Sequence, residues 1–550
     1  MKIESLQGYA NAYRANSIQG NVFANQPIMT QPLKLKPALN QDVLSLSASH
    51  QHKTGMLIPF RGNSALYDQK YIAAMAPLLI ESEDAFQEFD RQLKVAKEYG
   101  IKGISVDVWW GKVSSGFRSN WKYYDRIFEL IKNNDLEIIP ILSFHKCGGN
   151  VGDSVDIDIP KKAWRHLAER LGKNVDDVKS KNEQGFISDA AIPIWQHYDA
   201  IMLPMYKSFM ESFRDRYLKS SSKHYVGDIV HEVNISGGPA GEFRHDAYGV
   251  DRGTNAPYPK RGNFVCYDSG AYQSFRKFVK EKYAGDNPND WLKNASHAWT
   301  GIENTFPTEE DITPPRSFKN NRLNWKDGLA SEFADNLVKT AKRGQISTYD
   351  IDFLNWYNGE LVAHEKNMLN LAHQTFASCP GKFAIGFKIP DVHWQADTRL
   401  AEMASGLITL DSYNKDDPDN AYGYKNILDA AGDVAAGKNR ETVIDFTGLE
   451  MDASRSDKSD PQKLVYQVLS GAKRRGLKVA GENALAGNLY NPKSWGNMVN
   501  WLNSGYDSLV LLRLSDIAGK GNEKVLGYFQ EFMSILGFKK QETTEPSLVA

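Results

Sequence analysis

The sequence predicts an α/β fold, a (β/α)8 TIM barrel with long loops over the C-terminal mouth. Eight short apolar runs recur along the chain, several of them preceded by amphipathic helical segments. Polar, chemically useful residues close nearly every run, and in a barrel such ends converge on one mouth, whereas a doubly wound open sheet would spread them along a crevice. No GxGxxG or GxxxxGK[ST] phosphate loop follows the first run.

Taken in order, residues 1–70 are rich in Asn, Gln and Ser without sustained periodicity and read as an irregular N-terminal extension. The first apolar run is MAPLLI at 75–80. Next, 84–100 (DAFQEFDRQLKVAKEYG) has a helical apolar period and ends on Tyr99-Gly100, the connection expected when a helix feeds a parallel strand. IKGISVDVW at 101–109 carries Asp107, and LEIIPILSF at 136–144 delivers His145. GDIVHEVNI at 227–235 runs into a Gly- and Pro-dense turn that ends on Glu242. KFAIGFKI at 382–389 supplies Lys388, and TVIDFTGL at 442–449 supplies Thr447. LKVAGENAL at 477–485 holds Glu482, and YDSLVLLRL at 506–514 holds Arg513. The stretches 154–200 and 251–345 read as loops and helices built over the mouth. A barrel domain over 71–535 is thus expected, followed by a polar tail over 536–550.

Composition excludes several function classes. Lys plus Arg total 66 and Asp plus Glu 67, so a formal charge of −1 gives no reason to expect nucleic acid or an anionic membrane as partner. Cys147, Cys266 and Cys379 show no CxxC spacing, which argues against a disulfide framework or a zinc site. No apolar run is long enough to span a bilayer, and the start lacks the basic-then-apolar pattern of a secretory signal. The default expectation is a cytoplasmic monomer, with export by a route lacking a cleavable signal peptide left open.

Glu242 and Glu482 are the candidate catalytic pair. Glycines around the first let a ligand approach the backbone, and Ala480 and Gly481 precede the second. Either glutamate alone is equally well explained as a cap on the following helix. Two at strand ends of one barrel, across a sugar-sized mouth, are the working parts of a glycosidase that needs no metal or cofactor. Asp107 beside Trp109 and Trp110 suits sugar hydroxyls and ring faces, although a Trp pair is more often plain packing. In SFHKCGGNVGD, His145, the Gly148-Gly149 hinge and Asp153 read as a mobile lid carrying an acid. The alternatives there are an ordinary turn, or a metal site lacking its third ligand.

DVWWGKV, SFHKCGGNVGD, GGPAGEFR, FKIPDVHW, DFTGLEM and AGENAL stand in the order found in β-amylases, glycoside hydrolase family 14, which the chain resembles from about residue 74 to 514. The resemblance implies a (β/α)8 barrel that removes β-maltose from non-reducing ends of α-1,4-glucans (starch, glycogen, maltooligosaccharides) with inversion. It implies Glu242 as proton donor and Glu482 as proton acceptor. Asp107, His145 and Asp153 would grip the terminal glucose, and Lys388 and His393 the reducing-side units. Thr447, Asn483, Ala484 and Arg513 complete the implied substrate-binding set. Three departures touch the site: Phe243-Arg244-His245-Asp246 where the family usually has Leu-Arg-Tyr-Pro, Gly448 where cysteine is common, and Gln395 where a second tryptophan often stands. The alternative reading is a catalytically weak or inactive glucan-binding or sensory protein on the same barrel.

Overall fold

The computed structural model describes residues 70–114, 119–148, 153–182, 185–247, 264–299, 307–315, 347–394, 399–409, 424–456 and 458–538. The expected extension up to residue 69, the centre of the expected lid at 149–152, Gln395 and the tail from 539 lie outside them.

In chain order the strands are β1 (Tyr71–Met75), β2 (Gly103–Trp109), β3 (Glu137–Ser143), β4 (Ser180–Lys181), β5 (Ile187–Ser188), β6 (Glu232–Ile235), β7 (Ala384–Ile389), β8 (Thr442–Phe446), β9 (Lys478–Glu482) and β10 (Ser508–Leu511). All but β4 and β5, which form a small antiparallel ribbon, pair in parallel as a closed barrel in the order β1-β10-β9-β8-β7-β6-β3-β2. Parallel neighbours need crossovers, and helices supply them: Glu83–Glu98 leads into β2, Lys122–Asn133 into β3, and Thr348–Phe376 into β7. Lys425–Ala435, Pro461–Arg474 and Pro492–Ser504 precede β8, β9 and β10. The first of these helices starts where Ser82 accepts the Ala85 amide at 3.2 Å and stops before Gly100, whose φ of 90° suits a residue without a Cβ.

The first strand is not the expected 75–80 run. It is YIAAM, buried along its whole length, with Ile72 opposite Leu509 and Ala74 opposite Ile104. The Ala76 amide makes the last bond, to the Ser105 carbonyl, and Pro77 has no N–H to continue the ladder. Two alanines gave this strand little apolar signal, while MAPLLI is apolar because it covers the barrel end: Leu78 packs with Trp109 and Cys147.

Helix Thr348–Phe376 is 29 residues long and buries polar groups on its inner side, including Glu360, His364 and Glu365.

Candidate active site

Glu242 reaches the mouth on the loop that follows β6. A Cβ on Gly238 would stand 2.5 Å from the Glu242 carbonyl oxygen and 2.6 Å from that of Arg244, so the chain can fold back on itself only at glycine. Ala240 and Gly241 both take positive φ, 57° and 81°, which turns Glu242 inward. There it bridges Lys388 of β7, and the Phe243 amide donates to the Lys388 carbonyl at 2.8 Å. The loop is braced from behind: His364 sets Nε2 at 2.9 Å from the Gly237 carbonyl and Nδ1 at 2.8 Å from Asp199. Buried Arg244 donates through Nε to Glu242 Oε2 at 2.8 Å.

Glu482 is the last residue of β9, and its carboxylate is ion-paired with the Lys388 ammonium. Burial alone would lower the Lys388 pKa. The carboxylates of Glu482, Asp445 and Glu242 more than offset that, so the ammonium is held above its ordinary range. One lysine therefore links both candidate carboxylates, by backbone pairing and field to Glu242 and by direct contact to Glu482.

Asp107 and His145 form the opposite wall. Burial raises the Asp107 pKa, against the pull of Arg513 and Lys388 and a 3.3 Å hydrogen bond from Ser143. Arg513 itself donates to the Ala76 carbonyl at 3.3 Å. His145 lies 2.8 Å from Ser236 Oγ through Nδ1, with its ring edge-on to Trp109. Burial, then Lys388 and Arg244, push its pKa down to about 3, so it works as a neutral hydrogen-bonding group. Asp153 accepts the Gly148 amide at 2.8 Å, and together with Asp107 it bears on the buried Cys147 thiol, whose pKa burial raises first and these two carboxylates raise further.

His393 turns Nδ1 toward Asp391, 3.2 Å from Oδ2, while the Thr447 hydroxyl accepts the Asp391 amide at 3.2 Å. Burial disfavours the charged His393 ring, but Asp391 overrides it and raises the pKa. The same aspartate accounts for one family departure: Gly448 has φ 89°, and a side chain there would collide with the Asp391 carboxylate. Asn483 is fully buried, and both ends of its amide are taken by the backbone of Leu512, at 2.8 and 3.1 Å. It ties β9 to the end of β10 rather than pointing into the mouth. Among the described residues no group of three or more His, Cys, Asp or Glu side chains is arranged to hold a metal ion.

Sequence reasoning missed Glu450. Its buried carboxylate accepts the amides of Ala484 at 3.0 Å and Leu485 at 3.1 Å and the Asn488 side chain at 3.0 Å, clamping the segment that follows Glu482. An acid two residues beyond Gly448, just past a strand, was a usable signal. Asp199 and His364, 165 positions apart, offered none. Glu450→Ala should cost about tenfold in kcat, equivalent to ~1.4 kcal/mol. Faster amide hydrogen exchange across 484–488 should accompany it, and unchanged exchange there would contradict the clamp.

The profile of glycosyl hydrolase family 14 matches residues 74–537. The thermophilic β-amylase of Thermoanaerobacterium thermosulfurigenes is 31% identical over 467 residues, which is 83% of this chain and 72% of that protein. The β-amylase of Zea mays is 31% identical over 457 residues, covering 80% of each. The crystal structure of the catalytic domain of β-amylase from Paenibacillus polymyxa superposes with a TM-score of 0.65 at 28% identity, covering 85% of this chain and 99% of that one. A closed parallel barrel with paired carboxylates at its mouth and a match over most of its length make this chain a member of glycosyl hydrolase family 14.

Proposed function

We propose that the protein is a β-amylase, cleaving α-1,4-glucosidic bonds of starch- or glycogen-type glucans by single displacement and releasing β-maltose from non-reducing ends. The observation that carries this reading is the link through Lys388 between Glu242 and Glu482. Glu242 protonates the glycosidic oxygen, and Glu482 draws a proton from a water on the opposite ring face. Such an inversion needs the carboxyl groups about 6.5–9.5 Å apart to admit the water. Lys388, held charged, stabilises partial negative charge beside the base without itself giving up a proton.

Asp107, His145 and Asp153 form the wall that receives the terminal glucose. His393 and Thr447, joined through Asp391, line the reducing side. Ala484 and Arg513 border the pocket, and Asn483 contributes by holding the end of β10.

Incubation with maltopentaose, followed by proton NMR during the first turnovers, tests the reading. Maltose with β signals is expected. Initial α-maltose would overturn inversion, and mixed oligosaccharides as first products would overturn exo-action. No maltose at all would favour the glucan-binding alternative.

A further inference from the structure

Directly beneath Glu482 the barrel interior holds more acid than one lysine balances. Glu232 and Asn234 of β6, Lys388 of β7, Asp445 of β8 and Glu482 of β9 line a small polar cavity with Ser105 and Ser508, just large enough for one water molecule. The rest of its lining is His231 and the apolar side chains of Met75, Ile139, Ile141, Ala480 and Val510. The Asn234 amide donates to both Asp445 Oδ2 and Glu232 Oε1, so one side chain bridges the two carboxyl groups. The place is built for this pair, because any side chain on Gly386 of β7 would collide with the Glu232 carboxylate. Tyr71, stacked on His231 at 3.5 Å, lies on the side away from the mouth, and His231 in turn faces Glu137 at 3.3 Å.

Three ionised carboxylates facing one ammonium would leave a net double negative charge, with the His231 ring the one other titratable group on the cavity lining. Buried ionised groups are tolerated only when paired, and acids sharing a site resolve the conflict by keeping a proton. We propose that Glu232 and Asp445 form one proton-sharing carboxyl pair, whose single negative charge faces the Lys388 ammonium under Glu482 and sets the charge against which that base works. The inference deepens the assignment of Glu482 as base and rests on it. The directions agree: burial raises both acids, and Asp445, faced also by Glu232 and Glu482, is raised well above the ordinary carboxylate range. The other charges that bear on the arrangement are Asp107 of β2, which feels Glu482 and Arg513, His231 beside Glu232, and Glu242 beside Lys388.

A shared proton leaves the pair with a single negative charge, whichever oxygen carries it. Removing one acid leaves that charge on the other, and removing both abolishes it. The acidic limb of kcat/KM on maltopentaose, which reports the base, should therefore stay within a few tenths of a pH unit in D445N and in E232Q. In the double variant it should move to lower pH by about one unit, the size expected for one nearby charge at an effective dielectric constant of about 20. A single variant that shifts the limb as far as the double, or a double that leaves it in place, would overturn the proposal. Infrared difference spectra of the full chain at neutral pH, wild type minus D445N, test the pair without turnover. A protonated carboxyl stretch should be present in wild type and lost in the variant. Its absence from the difference spectrum refutes the shared proton even if Glu482 is the base, whereas its presence in a chain that releases no maltose refutes the base and leaves the pair standing.

Discussion

Glu482→Gln is expected to lower kcat on maltopentaose by about 10^2- to 10^4-fold, the range supplied by one general base. The amide keeps the shape and an acceptor for Lys388, so the barrel should hold and KM should change little; the lost interaction belongs to the transition state. Glu242→Gln is expected to be equally damaging on maltopentaose, and a second substrate separates the two roles. α-Maltosyl fluoride carries a leaving group that departs without protonation. Glu242→Gln should recover much of its rate on that substrate, while Glu482→Gln stays impaired because water still needs its base. The reverse pattern in initial rates would exchange the two assignments, and equal recovery of both variants would remove the distinction altogether.

The second large effect concerns stability and lies away from the mouth. Glu365, inside helix Thr348–Phe376, is fully buried, and neither carboxyl oxygen has a hydrogen-bond partner. Burial drives its pKa well above the ordinary carboxylate range, only weakly opposed by Lys366. Below the unfolded value of about 4.3 the group is neutral in both states and folding is indifferent to it. As pH rises past that value the unfolded chain releases the proton while the folded chain retains it, so stability falls until the folded group also ionises. Glu365→Met, similar in length and apolar, should remove this slope and stabilise the protein by ~1–3 kcal/mol at neutral pH, the usual cost of an unsatisfied buried polar group. Urea unfolding from pH 4 to pH 8 should show the gap between variant and wild type widening with pH. A constant gap, or a variant less stable at pH 8, would contradict the mechanism.

Much of the barrel was legible because a buried parallel strand is a short apolar run, and seven of the eight expected runs contain the observed strands. β1 was displaced because its alanines pack against neighbouring strands without looking hydrophobic in isolation. The candidate glutamates stood out because glycine-rich turns after strands leave a charged residue nowhere to go but the mouth. The groups that brace them did not. Asp199, His364 and Gly237 meet only after the chain has crossed the barrel, and the double engagement of Asn483 with Leu512 depends on how β9 and β10 end. The Phe243 to Asp246 departure is a packing solution. Phe243 meets Phe387 edge-on, His245 stacks on Tyr357 at 3.8 Å, and Asp246 takes the Ser188 hydroxyl.

Cys147 lies behind the wall formed by Asp107 and Asp153, and only 1% of its surface is exposed. Thiol oxidation and alkylation proceed through the thiolate, which both burial and those two acids disfavour. Position 448 is glycine, and Asp391 fills the space beside it. The pocket therefore presents no reactive thiolate to peroxide or to a disulfide. Maltose release from maltopentaose is accordingly expected to proceed at the same rate with and without a thiol reductant.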